Sequence, residues 1–333
     1  MRMTNNTFPY CIFRLIIFAA VLHVFPLAVF AVDTEMTAQK LINQMSHAAR
    51  NLNYDGIFIY QRGRQIDTMR LIHKVNSDGE YERLVSLTGN AREVIRNNET
   101  VTCIFPDDKI VTVEKSRPGK FLSVQLPESI EKIDEYYTFS ITGQDRVAGQ
   151  DAWVVNIVPK DDYRYGYQLW INKKNHLLLK SVLKNNFGFS LEQMIFTQLE
   201  VLEDIPDELL QASIAGTEYT WYNNIGLEAV PDGKHSNWQI NWMPSGFSMS
   251  DYERQPMAAT GNPLEHMVFT DGLAMVSVFI EKLGKQPVVA TGASKRGAVN
   301  TFARLTGGYQ VTAVGEVPQS TVERMVKSVV VRQ

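Results

Sequence analysis

Between Tyr54 and about Leu202 the sequence keeps repeating one device: a short run of alternating apolar and polar side chains, then a tight turn. Ile57 and Ile59 alternate with Phe58 and Tyr60. Met69, Leu71, His73 and Val75 share one face of the next run, and residues 82–87 follow a turn at Asp78-Gly79. Further runs cover 109–113, 121–126, 137–141, 153–158, 167–171, 177–183 and 191–202. Pro118-Gly119, Gly149-Gln150-Asp151, residues 172–175 and Asn185-Asn186 separate them. A period of two broken by turn formers predicts an antiparallel meander. About nine or ten strands in one sheet must curl or close on themselves.

Two runs, 153–158 and 177–183, are apolar on both faces, so something must cover the second face. An amphipathic helix over Met36–Leu52, with Leu41, Met45, Ala48 and Leu52 at helical spacing, can cover part of it. The pattern leaves two readings of the rest open, an ordinary two-sided core or a sheet curled around an apolar cavity.

Past residue 202 the character changes. Glu200, Glu203, Asp204, Asp207 and Glu208 form an acidic run that reads as a solvated face, and 209–220 reads as a connection between domains. From Trp221 the pattern is that of a small α+β domain. Strands are predicted at 238–242, 274–280, 299–305 and 309–317, with a final helix over 320–330.

The N-terminus reads as an export signal. Arg2 and Arg14 precede an apolar stretch, residues 15–30, which ends in Val29-Phe30-Ala31 and predicts cleavage after Ala31. The product would begin at Val32 and be mildly acidic, since the whole chain already carries a net charge of −3 and loses only cations. That balance argues against general nucleic-acid binding. Cys103 alone would survive processing, within a strand-like run that reads as a small buried hydrophobe.

The motifs of common enzymes fail one by one. Gly292 to Gly297 has the glycine spacing of a phosphate loop, but Ala298 and Val299 stand where Lys and Ser/Thr are needed, and a hairpin turn explains the segment better. There is no GxSxG, and Ser129-Ile130-Glu131-Lys132 lacks the partner motifs of an SxxK enzyme. The histidines are scattered without metal-ligand spacing. No catalytic residue, metal or cofactor is expected.

Several long strings resemble the RseB/MucB family of sigma-factor regulatory proteins. They are residues 54–63 (Tyr54-Asp55-Gly56 onward), 82–89, 92–96, 101–103, 163–171 (Tyr163-Arg164-Tyr165-Gly166-Tyr167 onward), 271–281 (Asp271-Gly272-Leu273 onward) and 307–324. The resemblance runs in order through the chain after residue 31. It implies a mainly β fold with an α+β part: an antiparallel half-barrel similar to the lipoprotein carrier LolA, with covering helices, over 32–208, a linker at 209–220, and a smaller domain over 221–333. It also implies a periplasmic protein that binds the periplasmic domain of a membrane-spanning anti-sigma factor, shields it from proteolysis, and is released by lipidic or lipopolysaccharide-like ligands. A periplasmic lipid or lipoprotein carrier is the rival reading, and a homo-oligomer stays open.

The family supplies no contact residues that can be matched one by one, so the candidates rest on physics. Ile57, Ile59, Leu71, Val85 and Leu87 are candidates for lining a concavity, with a plain core role as the alternative. Tyr219, Trp221 and Tyr222 lie by the linker, where aromatics serve either a partner or the packing of the two domains. Arg254, Lys295 and Arg296 are candidates for meeting acidic groups of a partner, with simple solvation as the alternative.

Overall fold

The computed structural model describes residues 36–332 except 99, 117–119, 122–123, 126–129, 214–217, 224–235, 257–262 and 285–289. The predicted export signal lies outside the described residues.

Helix α1 (Ala38–Asn51) starts where Thr37 accepts a hydrogen bond from the Lys40 amide at 3.2 Å, a side-chain cap for the first turn. Six strands follow as a meander: β1 (Asn53–Arg62), β2 (Gln65–Asn76), β3 (Gly79–Ser86), β4 (Glu93–Asn97), β5 (Thr100–Phe105) and β6 (Ile110–Lys115). A small ladder, β7 (Lys120–Phe121) with β8 (Val124–Gln125), precedes the second meander. This consists of β9 (Tyr137–Val147), β10 (Gln150–Pro159), β11 (Gly166–Asn172), β12 (Leu178–Lys184) and β13 (Ser190–Leu202). Pairing of β1 with β13 joins the two meanders into one twelve-stranded sheet, completed by β14 (Thr220–Asn223) beside β6. Its outer strands, β14 and β9, do not pair with each other, so the sheet is open, as a half-barrel is.

The strand register assigns the faces. Tyr54, Phe58, Met69 and Leu71 point to one side and pack with Leu41, Ile42 and Met45 of α1 in a single core. Gly56 sits in this face because there is no room for anything larger. A Cβ there would lie 2.6 Å from the Phe196 ring and 2.9 Å from the Gln198 carbonyl. Both runs predicted to be apolar on two faces fall on strands, β10 and β12; β12 is buried over most of its length, and β10 at Ala152, Val154, Val155 and Ile157, which fall on both faces.

The second sheet has six strands: β16 (Ser248–Pro256), β17 (Pro263–Thr270), β18 (Met275–Lys282), β19 (Gly292–Arg296), β20 (Val299–Thr306) and β21 (Tyr309–Gly315), ordered β16-β17-β18-β21-β20-β19. Helix α2 (Gln319–Lys327) buries Val322, Met325 and Val326 in one core with Val276, Val278 and Val311. The chain ends in β22 (Val329–Val331), which pairs with β15 (Trp238–Ile240). The helix thus stops three residues short of the predicted end, because Val329 and its neighbours complete a ladder instead.

The five acids read as a solvated face are exposed, but the chain they lie on is also fastened to the sheet. After β13 the chain crosses the sheet face opposite α1. Ile205 is fully buried, and Lys74 Nζ donates to the Ile205 carbonyl at 2.6 Å and to Asp207 at 2.8 Å, with Asp204 at 3.1 Å. Arg83 donates to the Leu209 carbonyl at 3.1 Å, and Glu93 accepts from the Ser213 amide at 3.1 Å. Two of the acids, Asp204 and Asp207, meet a cation at the sheet surface, and the connection is strapped down as far as Ser213. Cys103 lies half-buried on β5, where burial raises its thiol pKa and keeps it protonated.

Candidate binding site at the joint between the sheets

The two sheets meet through a cluster of charged and aromatic side chains. Arg164, in the loop between β10 and β11, is fully buried. It donates to Asp271 at 2.6 Å and to the Ser245 carbonyl at 2.7 Å, and pairs with Asp161 at 3.0 Å. Its guanidinium also lies 5.1–5.5 Å from the ring centres of Tyr136, Tyr137 and Phe247. A planar, weakly hydrated cation is the residue type that can satisfy carboxylate, carbonyl and π-faces at once.

Asp271 is the matching pivot on the other sheet. One carboxylate oxygen takes Arg164 and, at 2.8 Å, the Tyr137 hydroxyl. The other accepts the amides of Leu273 and Ala274 at 2.9 and 2.7 Å, fixing the turn between β17 and β18. Burial, and Asp271 beside it, hold the Tyr137 hydroxyl well above its ordinary pKa, so it stays a donor.

Two further contacts extend the joint. The turn between β19 and β20 puts the fully buried Ala298 amide on Glu192 at 2.9 Å, and Glu192 also accepts from Tyr60. Burial and Glu192 raise the Tyr60 pKa. Asn300 donates to the Tyr165 hydroxyl at 3.0 Å. From α2, Thr321 donates to the Tyr163 carbonyl and Arg324 to the Tyr163 hydroxyl, each at 2.7 Å. Arg324 also covers Trp242 at 4.1 Å.

The predicted cavity residues do not share one face. Leu71 is buried in the core under α1, while Ile57, Ile59, Val85 and Leu87 lie on the opposite face. Leu71 opposes Gly56 and Leu84, whereas Ile57 opposes Arg70, which opposes Val85, so strict alternation puts the two sets on different sides. Together they therefore cannot line one concavity. Helix α1 fills the face that Leu71 shares. A cleft of about 330 Å³ opens elsewhere, between the end of β10, the start of β11 and the β12–β13 turn, lined by Val158, Tyr167 and Lys184 among others.

The predicted partner residues divide likewise. Trp221 and Tyr222 are half-exposed on edge strand β14, with Tyr219 just before it. Arg254 lies on β16 and Lys295 and Arg296 on β19, the opposite edges of the six-stranded sheet. Five strand spacings, ~24 Å, separate them, so they form no single patch.

A model of the MucB/RseB N-terminal domain matches residues 37–214, and one of the C-terminal domain matches 232–330. This chain belongs to the MucB/RseB family. The sigma factor AlgU regulatory protein MucB of Pseudomonas aeruginosa is 32% identical over 303 residues, 88% of this chain and 90% of the relative. The sigma-E factor regulatory protein RseB of Haemophilus influenzae is 28% identical over 301 residues, 89% and 91% of the two chains. A crystal structure of MucB in complex with MucA(peri) superposes with TM-score 0.69 at 28% identity, covering 89% of this chain and 99% of that one. A Pseudomonas aeruginosa MucA/MucB complex gives 0.70 at 29%, with the same coverage. Within this MucB/RseB chain, three of the strings that carry the family resemblance converge on the joint. Tyr163 to Tyr167 meets Asp271 from the second, and Thr321 and Arg324 from the third. All three strings are visible in the sequence but their meeting is not, because their pairing is long-range and no local period encodes it.

Proposed function

We propose that this protein binds the periplasmic region of a membrane-spanning anti-sigma factor, protects it from regulated proteolysis, and so restrains an envelope-stress sigma factor. The observation that carries the reading is the likeness, over 89% of the chain, to MucB solved with MucA(peri) bound. Both domains are included in that likeness, and a binding protein needs no more chemistry than this one holds: polar and aromatic surfaces placed by two sheets. The chain would act in the periplasm after export, as a two-domain protein with its division in the region 209–220. A lipidic ligand would release it by favouring a different arrangement of the two sheets at the joint. A coupling of ~1–3 kcal/mol, about 5- to 150-fold in affinity, is enough for such a switch.

The test is reconstitution. The purified protein is mixed with the periplasmic region of the anti-sigma factor from the same organism and with the protease that cleaves it. Expected are a stable complex and slowed cleavage, with cleavage restored by envelope lipid. Absence of a complex, with lipid or lipoprotein recovered instead, overturns the reading in favour of a carrier.

A further inference from the structure

The geometry points to a membrane-docking face at the hairpin end of the half-barrel: Phe187 and Phe189 enter the interface of an anionic phospholipid bilayer, and the neighbouring cations meet its phosphates. The two rings are 85% and 69% exposed, on the turn between β12 and β13. The turn itself is fixed. Asn185 Oδ1 accepts the amides of Phe187 and Phe189 at 3.0 and 2.9 Å, and the Gly188 amide donates to the Asn185 carbonyl at 2.9 Å. Asn186 ties the turn to Asp162 at 3.1 Å. Asn185 and Gly188, with φ +81°, make the turn. Polar residues at 187 and 189 would serve it equally, so folding gives no reason for two aromatic rings in water. Val158, half-exposed, adds apolar surface in the adjoining cleft.

Cations gather on one side of the tip. Arg62 opposes Glu192 on the strand next to this turn, and Arg64 is exposed at the tip of the adjacent β1–β2 hairpin. Exposed Lys295 and Arg296 enter the turn that packs on Arg62, where a Cβ at Gly297 would lie 2.4 Å from Arg62 Cγ. Two of the nearby acids are already engaged: Glu192 with Tyr60 and the Ala298 amide, and Asp161 with Arg164. Asp162 and Asp67 are the acids that face outward beside the tips. Aromatic rings on a rigid, protruding tip with cations behind them match the chemistry of a bilayer interface, where rings sit at headgroup depth and Lys or Arg meets phosphate. The exposed cations beside the rings are what favour a phosphate-bearing surface over an uncharged apolar partner.

The test is co-sedimentation of the purified protein with vesicles of phosphatidylglycerol and phosphatidylethanolamine, and with vesicles of phosphatidylcholine. Binding to the anionic vesicles is expected to fall with salt and to weaken at least about tenfold in Phe187→Ser/Phe189→Ser. The urea midpoint should not move, because neither ring is buried. Lys295→Ala/Arg296→Ala should flatten the salt dependence while leaving the rings in place. Equal binding of wild type and the phenylalanine variant, or no binding by wild type, overturns the proposal. So does loss of self-association, or of protein-partner binding, in that variant without any vesicle effect, since the rings would then serve a protein contact.

Discussion

At the residue scale, Asp271 receives four donors on two oxygens, one pair from its own turn and one pair from the other sheet. Burying two ions is costly, and Coulomb attraction repays the cost only when every remaining donor and acceptor is placed. Removing Arg164 leaves a buried carboxylate without its cation; removing Asp271 leaves the Tyr137 hydroxyl and two turn amides without their acceptor, with Arg164 still held by Asp161. Arg164→Ala and Asp271→Ala should each destabilise the protein by ~3–5 kcal/mol, read from urea denaturation, with the double variant far less than additive. Gly246→Ala tests the same cluster from its rim. With φ +84° and a Cβ 2.3 Å from the Tyr136 ring, it should cost ~1–3 kcal/mol, seen as a lower thermal midpoint.

At the element scale, the strap after β13 is an electrostatic fastening with a defined pH window. The Lys74 hydrogen bond holds the Asp204 carboxyl below its ordinary range, and the hydrogen bond to Asp207 raises Lys74 above its own. A depressed acid stabilises fully above its ordinary pKa of ~4 and loses that contribution as pH falls through the lowered value. A raised lysine stabilises below ~10.4 and loses that contribution as pH climbs through the raised value. The strap should therefore hold across neutral pH and loosen below about pH 4, with the Ile205 and Ser213 amide resonances moving toward unstructured positions. In Lys74→Met the Ile205 amide should sit there at neutral pH as well. The meander itself was legible, because strands with one buried face must alternate and turns must carry Gly, Asn or Asp. The strap was not, since a run of solvated acids looks the same whether or not a lysine on a neighbouring strand reaches it. Strands β16, β17 and β19 lie outside the predicted runs; β16 and β19, as sheet edges with Ser-Met-Ser-Asp and Gly-Ala-Ser-Lys-Arg in them, carry little apolar pattern. The apolar run 57–60 was legible as a strand, but which of its faces α1 covers is decided by packing with Phe196 and Leu41, far away in sequence.

At the scale of the whole molecule, the joint is narrow in chemistry and wide in reach. It draws on the β10–β11 loop, the β17–β18 turn, the β19–β20 turn and α2, so any ligand that separates the sheets must break several contacts together. Small displacements are resisted, and a larger one releases the whole set, which is how packed interfaces behave as two-state elements. Asp271→Asn keeps the size of the side chain and removes its charge. It should broaden the solution scattering profile and weaken binding of the anti-sigma factor in parallel. Unchanged affinity in a protein with a demonstrably opened joint would place the partner on one sheet alone.

The edge strand β14 ends at Asn223, and β15 begins at Trp238. The residues between can span no more than roughly 50 Å at full extension. A C-terminal sheet released from the joint therefore stays tethered, at a local concentration in the millimolar range. Reclosure is a first-order event whose rate is indifferent to how many copies the cell holds. A regulator built this way would reset as soon as nothing held the sheets apart, without fresh synthesis.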